Sequence, residues 1–173
     1  MTDVILVDSL DQALGQAEKL LAHQTGQLHR AVSVILFNDK KEILLQQRAM
    51  EKYHSPGQWS NTCCTHPEPG QSTVDAASTR LQFEMGIAAD LEFAFSFIYQ
   101  VQLDKGLIEH EFDHVFFGRW NGDALPNPAE VMDWRWFALD QLDSEMQSTP
   151  GDFTYWLKVM WPKIYQNGVA LIN

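Results

Sequence analysis

The stretches LEFAFSFIYQVQ (residues 91–102) and IEHEFDHVFFGRW (residues 108–120) constrain the fold of this chain more than any others. Each alternates in the two-residue period of a strand. The DKG of Asp104–Gly106 between them has the composition of a tight turn. Two strands of that length form an antiparallel ribbon, and such a ribbon is stable only when a face is covered. The rest of the chain has to supply the cover.

VILV at Val4–Val7 reads as a short strand, HRAVSVILFNDKKEILLQQR as a hairpin turning at NDKK, and DWRWFAL as a further strand. The spacing of Leu10, Ala13, Leu14, Ala17, Leu20 and Leu21 predicts a helix after the first strand, weakened by Gly15. VDAASTRLQFEMG is the clearest helix. Ser72 with Asp75 makes a capping-box start, Val74, Ala77, Leu81 and Met85 share a face, and Gly86 ends it. TPGDFTYW predicts the start of a last helix, with Thr149 as N-cap and Pro150 at the first position. Strands outnumber helices, so the expected class is α/β in the broad sense (α+β): a mixed sheet with helices packed on its faces. With 173 residues, 45% of them hydrophobic, and no repeat or linker, the chain is expected to be one domain, residues 1–173, with a real core.

Twelve basic residues against twenty-three acidic ones leave a net charge of −11. A field of that sign repels nucleic acid and anionic lipid, so neither is expected as a partner. An anionic small substrate would need metal ions or a local cluster of Lys and Arg. No apolar run approaches the roughly 20 residues that span a bilayer, and the acid early in MTDVILVDSL argues against a signal peptide. Two adjacent cysteines, Cys63 and Cys64, make a poor disulfide and fit a reducing, cytoplasmic setting.

Those thiols sit in NTCCTHPEPG beside His66. If the segment is extended, Cys64 and His66 share one face and Cys63 points the other way. In IEHEFDH the same alternation puts Glu109, Glu111 and Asp113 on one face, with His110 and His114 on the other. Neighbouring carboxylates on one face repel unless a cation or proton sits between them. His23 and His29 converge only if the chain bends at Gln24–Gly26. Taken singly, each feature is ordinary: a Glu pair is more often a solvated strand edge, and Arg80 with Glu84 reads as a surface helix pair in its weaker order. Taken together, three imidazoles and two carboxylates suit a divalent ion such as Mn2+, Mg2+ or Zn2+ in an octahedral-like site.

Over most of its length the chain resembles the type 1 isopentenyl-diphosphate delta-isomerases, which are built on the Nudix fold. The resemblance runs from EKLLAHQTGQLHRAVSVILFN through LLQQRAMEKYHSPGQWSNTCCTHPEPG and RLQFEMGI to IEHEFDHVF, EVMDWRW and TPGDFTYW. The W-[ST]-N-[ST]-x-C-x-H-P element and an E-x-E ten residues after a Tyr are highly specific together.

The resemblance implies a Nudix-type mixed β-sheet sandwiched by helices and an enzyme that interconverts isopentenyl and dimethylallyl diphosphate, as a monomer. Cys64 stands at the family's catalytic thiol, Glu111 at its catalytic carboxylate, and Tyr99 at the tyrosine that assists protonation. His23, His29, His66, Glu109 and Glu111 stand at the ligands of one divalent ion. A second ion, a Mg2+ bridging the diphosphate, is associated with Glu84 and the backbone carbonyl of Cys64. Lys19, Arg48, Lys52 and Arg80 match diphosphate contacts, and Trp156 matches the aromatic that faces a carbocation. An indole face stabilises a cation by about 2 kcal/mol where water is excluded, without trapping it as a nucleophile would.

Two other readings are weighed beside this one. A Nudix pyrophosphohydrolase acting on a small diphosphate needs the motif G-x5-E-x7-R-E-U-x-E-E-x-G-U. This chain has Thr65, Gln71, Thr79, Arg80 and Phe83 at five of its positions and keeps only Glu84 and Gly86. A non-catalytic domain stabilised by its metal would melt on chelation and turn over no prenyl diphosphate.

Overall fold

From Ala31 to Phe37 every side chain of HRAVSVILF is buried. A strand covered on both faces belongs at the centre of a layered fold. The computed structural model, which describes residues 3–172, places it there. The strands are β1 (Asp3–Val7), β2 (Ala13–Glu18), β3 (His29–Phe37), β4 (Glu42–Arg48), β5 (Trp59–Ser60), β6 (Cys63–Thr65), β7 (Leu91–Gln102), β8 (Ile108–Arg119) and β9 (Val131–Ala138). The α-helices are α1 (Lys19–Thr25), α2 (Thr73–Met85), α3 (Leu139–Ser148) and α4 (Tyr155–Ile172).

One edge of β3 runs parallel to β8 along its whole length, from His29 opposite Glu111 to Phe37 opposite Arg119. The other edge is shared in succession by three antiparallel partners. Leu6 of β1 lies opposite His29, β6 opposite Val32–Val34, and the start of β4 opposite Leu36 and Phe37. Beyond that tip β4 leaves β3 and pairs with β9 and β5. The NDKK hairpin of the sequence reading is therefore real but short. The divergence of its strands lets the segment carrying Cys64 and His66 enter beside β3.

Alternation along the central strands separates two cores. Val32, Val34 and Leu36 of β3 and Phe116 of β8 pack with Ala77, Leu81 and Met85 of α2. Ile35, Phe37, Val115 and Phe117 pack on the opposite face with residues of α3 and α4, including Leu142, Leu157 and Met160. Helices thus cover both faces of a mixed sheet, as expected. The 91–102 and 108–119 ribbon is paired as predicted, with Tyr99 opposite Glu111.

α2 starts and stops where the sequence places it: Ser72 Oγ accepts from the Asp75 N–H at 3.1 Å, and Gly86 at φ 66° closes the last turn. Its buried face differs by one step. Val74 is exposed, while Ala76 and the charged Glu84 turn inward.

Two helix expectations are corrected. The predicted helix over Leu10–Leu21 is instead β2, hairpinned to β1, followed by the short α1. Asp8 decides this, because its carboxylate accepts the Leu10 and Gln12 N–H groups and turns the chain back before a helix can nucleate. The supposed apolar face never meets a core, and Leu10 and Leu14 are 75% and 69% exposed. Thr149 does not cap α4. Pro150–Asp152 is a separate 3-10 turn, Phe153 breaks it in extended backbone, and α4 begins at Tyr155. α3 was not read from the sequence at all.

Candidate active site

A cavity of about 490 Å³ opens between the β3–β6–β8 region, the turn after β4 and the start of α4. Its imidazoles arrive from three elements. Gly26, at φ 66°, ends α1 and turns the chain into β3, so that His23 in the last turn of the helix meets His29 at the strand's first residue. The bend predicted at Gln24–Gly26 is thus what joins them. His66 follows β6, and Glu111 sits directly across from His29 in the β3–β8 register. One ligand atom from each of His23, His29, His66 and Glu111 lies within 4.8 Å of all the others.

The hydrogen bonds around this group fix its polarity. His23 Nδ1 is 2.7 Å from the Lys19 carbonyl oxygen, and His29 Nδ1 is 2.8 Å from that of Gln27. A carbonyl only accepts, so Nδ1 carries a proton in both rings and each Nε2 faces inward. His29 Nε2 lies 3.2 Å from His66 Nε2, which is 2.8 Å from Glu111 Oε1, and the buried His23 Nε2 has no partner. Burial holds His29 and His66 below the usual imidazole range, so His29 keeps its Nε2 lone pair and the single proton of His66 lies on Nε2 toward Glu111, where a cation would replace it. Inward lone pairs beside a carboxylate fit a divalent cation. Glu109 stands at the margin of this group, with Oε1 at 3.7 Å from His23 Nε2 and 3.4 Å from His54 Nε2.

Tyr99 Oη donates to Glu111 Oε2 at 2.7 Å and lies 3.4 Å from Glu109 Oε2. Burial pushes the phenol well above its ordinary range, so it stays a donor. Glu109 is raised to about 8, by burial first and by the charge of Glu111 second. Without ions, the folded chain keeps a proton on Glu109 that the unfolded chain loses near pH 4.5. That contribution favours folding at low pH and is lost as the pH rises from about 4.5 to about 8. Buried histidines with lowered pKa act in the opposite sense below about pH 6.5, so the melting temperature of chelator-stripped protein is expected to fall from about pH 6.5 to about pH 8, by about 2–4 °C for each kcal/mol lost. Saturating divalent ion should remove most of the fall. A melting temperature that rises from about pH 6.5 to about pH 8 in the stripped protein would contradict this account of the pair.

The two thiols part as β6 alternates. Cys63 packs into the α2 core and Cys64 turns to the cavity. Cys64 Sγ donates to Asn61 Oδ1 at 3.0 Å and lies 3.7 Å from Ser33 Oγ, whose proton goes to Asp113 Oδ2 at 2.7 Å. Trp156 Nε1 also donates to Asn61 Oδ1, at 3.1 Å, so one amide fixes both thiol and indole. Burial pushes the Cys64 thiol up to about 12, with Asp113 adding to it and the Ser33 and Asn61 hydrogen bonds opposing it. The protein's own residues therefore hold it as S–H, and the charge of a bound cation acts in the other direction.

At the charged end, Glu84 is buried. Its Oε2 accepts from Gln46 Nε2 at 2.7 Å and its Oε1 from Arg80 Nε at 2.8 Å. One carboxylate suits a Mg2+ whose other ligands are water and substrate phosphate. Lys19 lines the cavity with its ammonium 5.7 Å from the Tyr53 ring, and Arg48 lies over the Trp156 ring at 5.3 Å while donating to the His54 carbonyl. Lys52 and Arg80 line it too, and both are paired with acids.

Every site residue expected from the sequence lines this cavity except His23 and His29, which are fully buried beside it. Tyr53, His54, Asn61, Ser33 and Glu130 also touch the site residues and are not among those expected from the sequence. Only Asn61 had a signal, as the N of the WSNTCC element.

The NUDIX domain matches residues 27–157, which makes the chain a member of that family. Solved structures agree on the fold. The DR0079 protein of Deinococcus radiodurans superposes with a TM-score of 0.70 at 16% identity, over 84% of this chain and 89% of that one. A MutT protein of Methanosarcina mazei Go1 gives 0.68 at 15% identity, over 82% and 95%. Sequence relatives are more specific. Isopentenyl-diphosphate Delta-isomerase 2 of Aromatoleum aromaticum is 49% identical over 89% of this chain and 82% of its own length. Isopentenyl-diphosphate Delta-isomerase of Pectobacterium atrosepticum is 47% identical over 95% and 92%. Within the NUDIX family, the chain belongs to the isopentenyl-diphosphate Delta-isomerases.

Proposed function

We propose that this protein interconverts isopentenyl and dimethylallyl diphosphate by adding a proton at one alkene carbon and removing another from the allylic carbon beyond it. The observation that carries the reading is the shared cavity of Cys64, the Tyr99–Glu111 pair and Trp156. In the forward direction Glu111, held by Tyr99, delivers a proton to the terminal methylene, and the double-bond electrons form the new C–H bond. Cys64 as thiolate takes the proton from C2, and those C–H electrons close the new double bond. Trp156 faces the tertiary cation between the two steps. In the reverse direction the two groups exchange roles.

A divalent ion (Mn2+, Mg2+ or Zn2+) held by His23, His29, His66, Glu111 and Glu109 would supply positive charge that holds the two carboxylates together and eases release of the proton that Glu111 delivers. A Mg2+ at Glu84 would screen the diphosphate, with Lys19, Arg48, Lys52 and Arg80 as its cationic neighbours. Hydrolysis is disfavoured because Arg80 occupies a position where a hydrolase carries a carboxylate and itself pairs with Glu84. No helix among the described residues is long and apolar enough to cross a membrane. The acidic charge and the free thiols support a monomer acting in a reducing cytoplasm on a free diphosphate rather than on nucleic acid.

Incubation with isopentenyl diphosphate and Mg2+ in deuterated water tests the assignment. Dimethylallyl diphosphate bearing deuterium in its new methyl group is expected. Release of phosphate or of isopentenyl monophosphate, with no labelled isomer, would replace isomerisation by hydrolysis.

A further inference from the structure

Glu130 has no place in the chemistry above, yet it holds both of the cavity's exposed-end cations. Its Oε2 accepts from Arg80 Nη2 at 2.8 Å and from Lys52 Nζ. Glu84 Oε1 accepts from the same guanidinium, at 2.6 Å from Nη2, and lies 3.9 Å from Lys52 Nζ. The four side chains are between 4% and 28% exposed, so water screens them only in part. The backbone holds the arrangement in place. The Ala49 N–H donates to the Glu130 carbonyl at 3.0 Å, the Glu130 N–H to Asn127 at 2.9 Å, and the Lys52 N–H to Ala49 at 3.2 Å.

Within this cluster two cations and two carboxylates sum to zero, which leaves Lys19 and Arg48 as the cavity's other cations where a strongly anionic group has to bind. Lys52 and Arg80 alone would attract any bare polyanion. With both acids present, a bare diphosphate gains little net attraction and meets two carboxylates at close range. A diphosphate carrying a divalent cation gains on both counts. We infer that Glu130 is a counter-charge that makes this subsite select a diphosphate accompanied by its divalent cation, and that it keeps Lys52 and Arg80 aligned before the ligand arrives. This rests on the diphosphate reading of the cavity.

The test measures binding of inorganic pyrophosphate by titration calorimetry, with the protein as purified. One arm is freed of exchangeable divalent ion and the other contains excess Mg2+. Wild-type protein is expected to bind at least about tenfold more tightly with Mg2+. Glu130→Gln should bind bare pyrophosphate about five- to tenfold more tightly than wild type, so that the Mg2+ advantage shrinks. Glu130→Asp keeps the charge and should retain the wild-type advantage, which a merely structural role would not predict. Bare binding that is unchanged or weaker in Glu130→Gln overturns the counter-charge. If Glu130→Gln does not fold, loss of the Mg2+ advantage in a folded Glu130→Asp overturns it instead. Lys52→Met separates the two readings. Weaker binding in both arms keeps the diphosphate here, and unchanged binding in both removes the diphosphate reading and the inference with it.

Discussion

Cys64→Ser is expected to lower kcat by at least about three orders of magnitude, equivalent to about 4 kcal/mol of barrier. The substitution keeps the side chain's shape and its hydrogen bond to Asn61 Oδ1. What it changes is the acidity of the group, because a hydroxyl releases its proton several pK units higher than a thiol. The thiol already starts high, pushed up to about 12 by burial and by Asp113, so a further rise leaves almost no deprotonated group to take the proton. Cys63→Ser makes the control. Cys63 is fully buried against α2, so a hydroxyl there should cost about 1–3 kcal/mol of stability while leaving kcat within about tenfold. A diphosphate-bearing epoxide analogue of the substrate should label Cys64, and excess substrate should protect it. Normal turnover by Cys64→Ser, or a label placed on Cys63 by mass spectrometry, would overturn the assignment of the thiol.

The second large effect is expected from the imidazole group. His66 Nε2 lies within hydrogen-bond distance of both His29 Nε2 and Glu111 Oε1, so its loss removes a donor and leaves Glu111 without that partner. Loss of an outer partner of a metal ligand typically costs 10–100-fold in metal affinity or activity, and loss of a ligand itself should cost at least about a hundredfold. His66→Asn is therefore expected to lower both the bound-ion stoichiometry measured by elemental analysis and kcat/KM. Adding back Mn2+ or Mg2+ at high concentration should restore part of each. Full activity in wild-type protein shown by the same analysis to be free of ion would remove the metal from the mechanism.

Much of the fold was legible because its strongest signals are local. The ribbon of β7 and β8 shows in strict alternation around a turn, and α2 in a cap, a stripe and a terminal glycine. Expectation and structure part where a local pattern competes with a turn or a tertiary contact. Leu10 to Leu21 has helical spacing, but Asp8 captures the backbone N–H groups and reverses the chain. Thr149 and Pro150 look like a helix start, but the Thr154 N–H bonds instead to the Trp59 carbonyl, and the true helix begins one turn later.

For the site, the sequence by itself determined which chemistry-bearing residues exist and, by alternation, which of them share a face. Cys64 parts from Cys63, and Glu109, Glu111 and Asp113 part from His110 and His114, because a strand's side chains must alternate. Resemblance added their roles. Only the tertiary structure decided that these faces meet. β4 diverges from β3 after two residue pairs, β6 enters the gap, and β8 pairs in parallel so that Glu111 stands across from His29. Only the tertiary structure, too, decided that Asn61 holds both thiol and indole and that Glu130 neutralises Lys52 and Arg80. Apart from the Asn61–Cys64 hydrogen bond, those contacts join residues tens of positions apart, and no periodicity in a single segment encodes them. They follow from how strands share the edges of β3 and from the requirement that buried polar groups find partners.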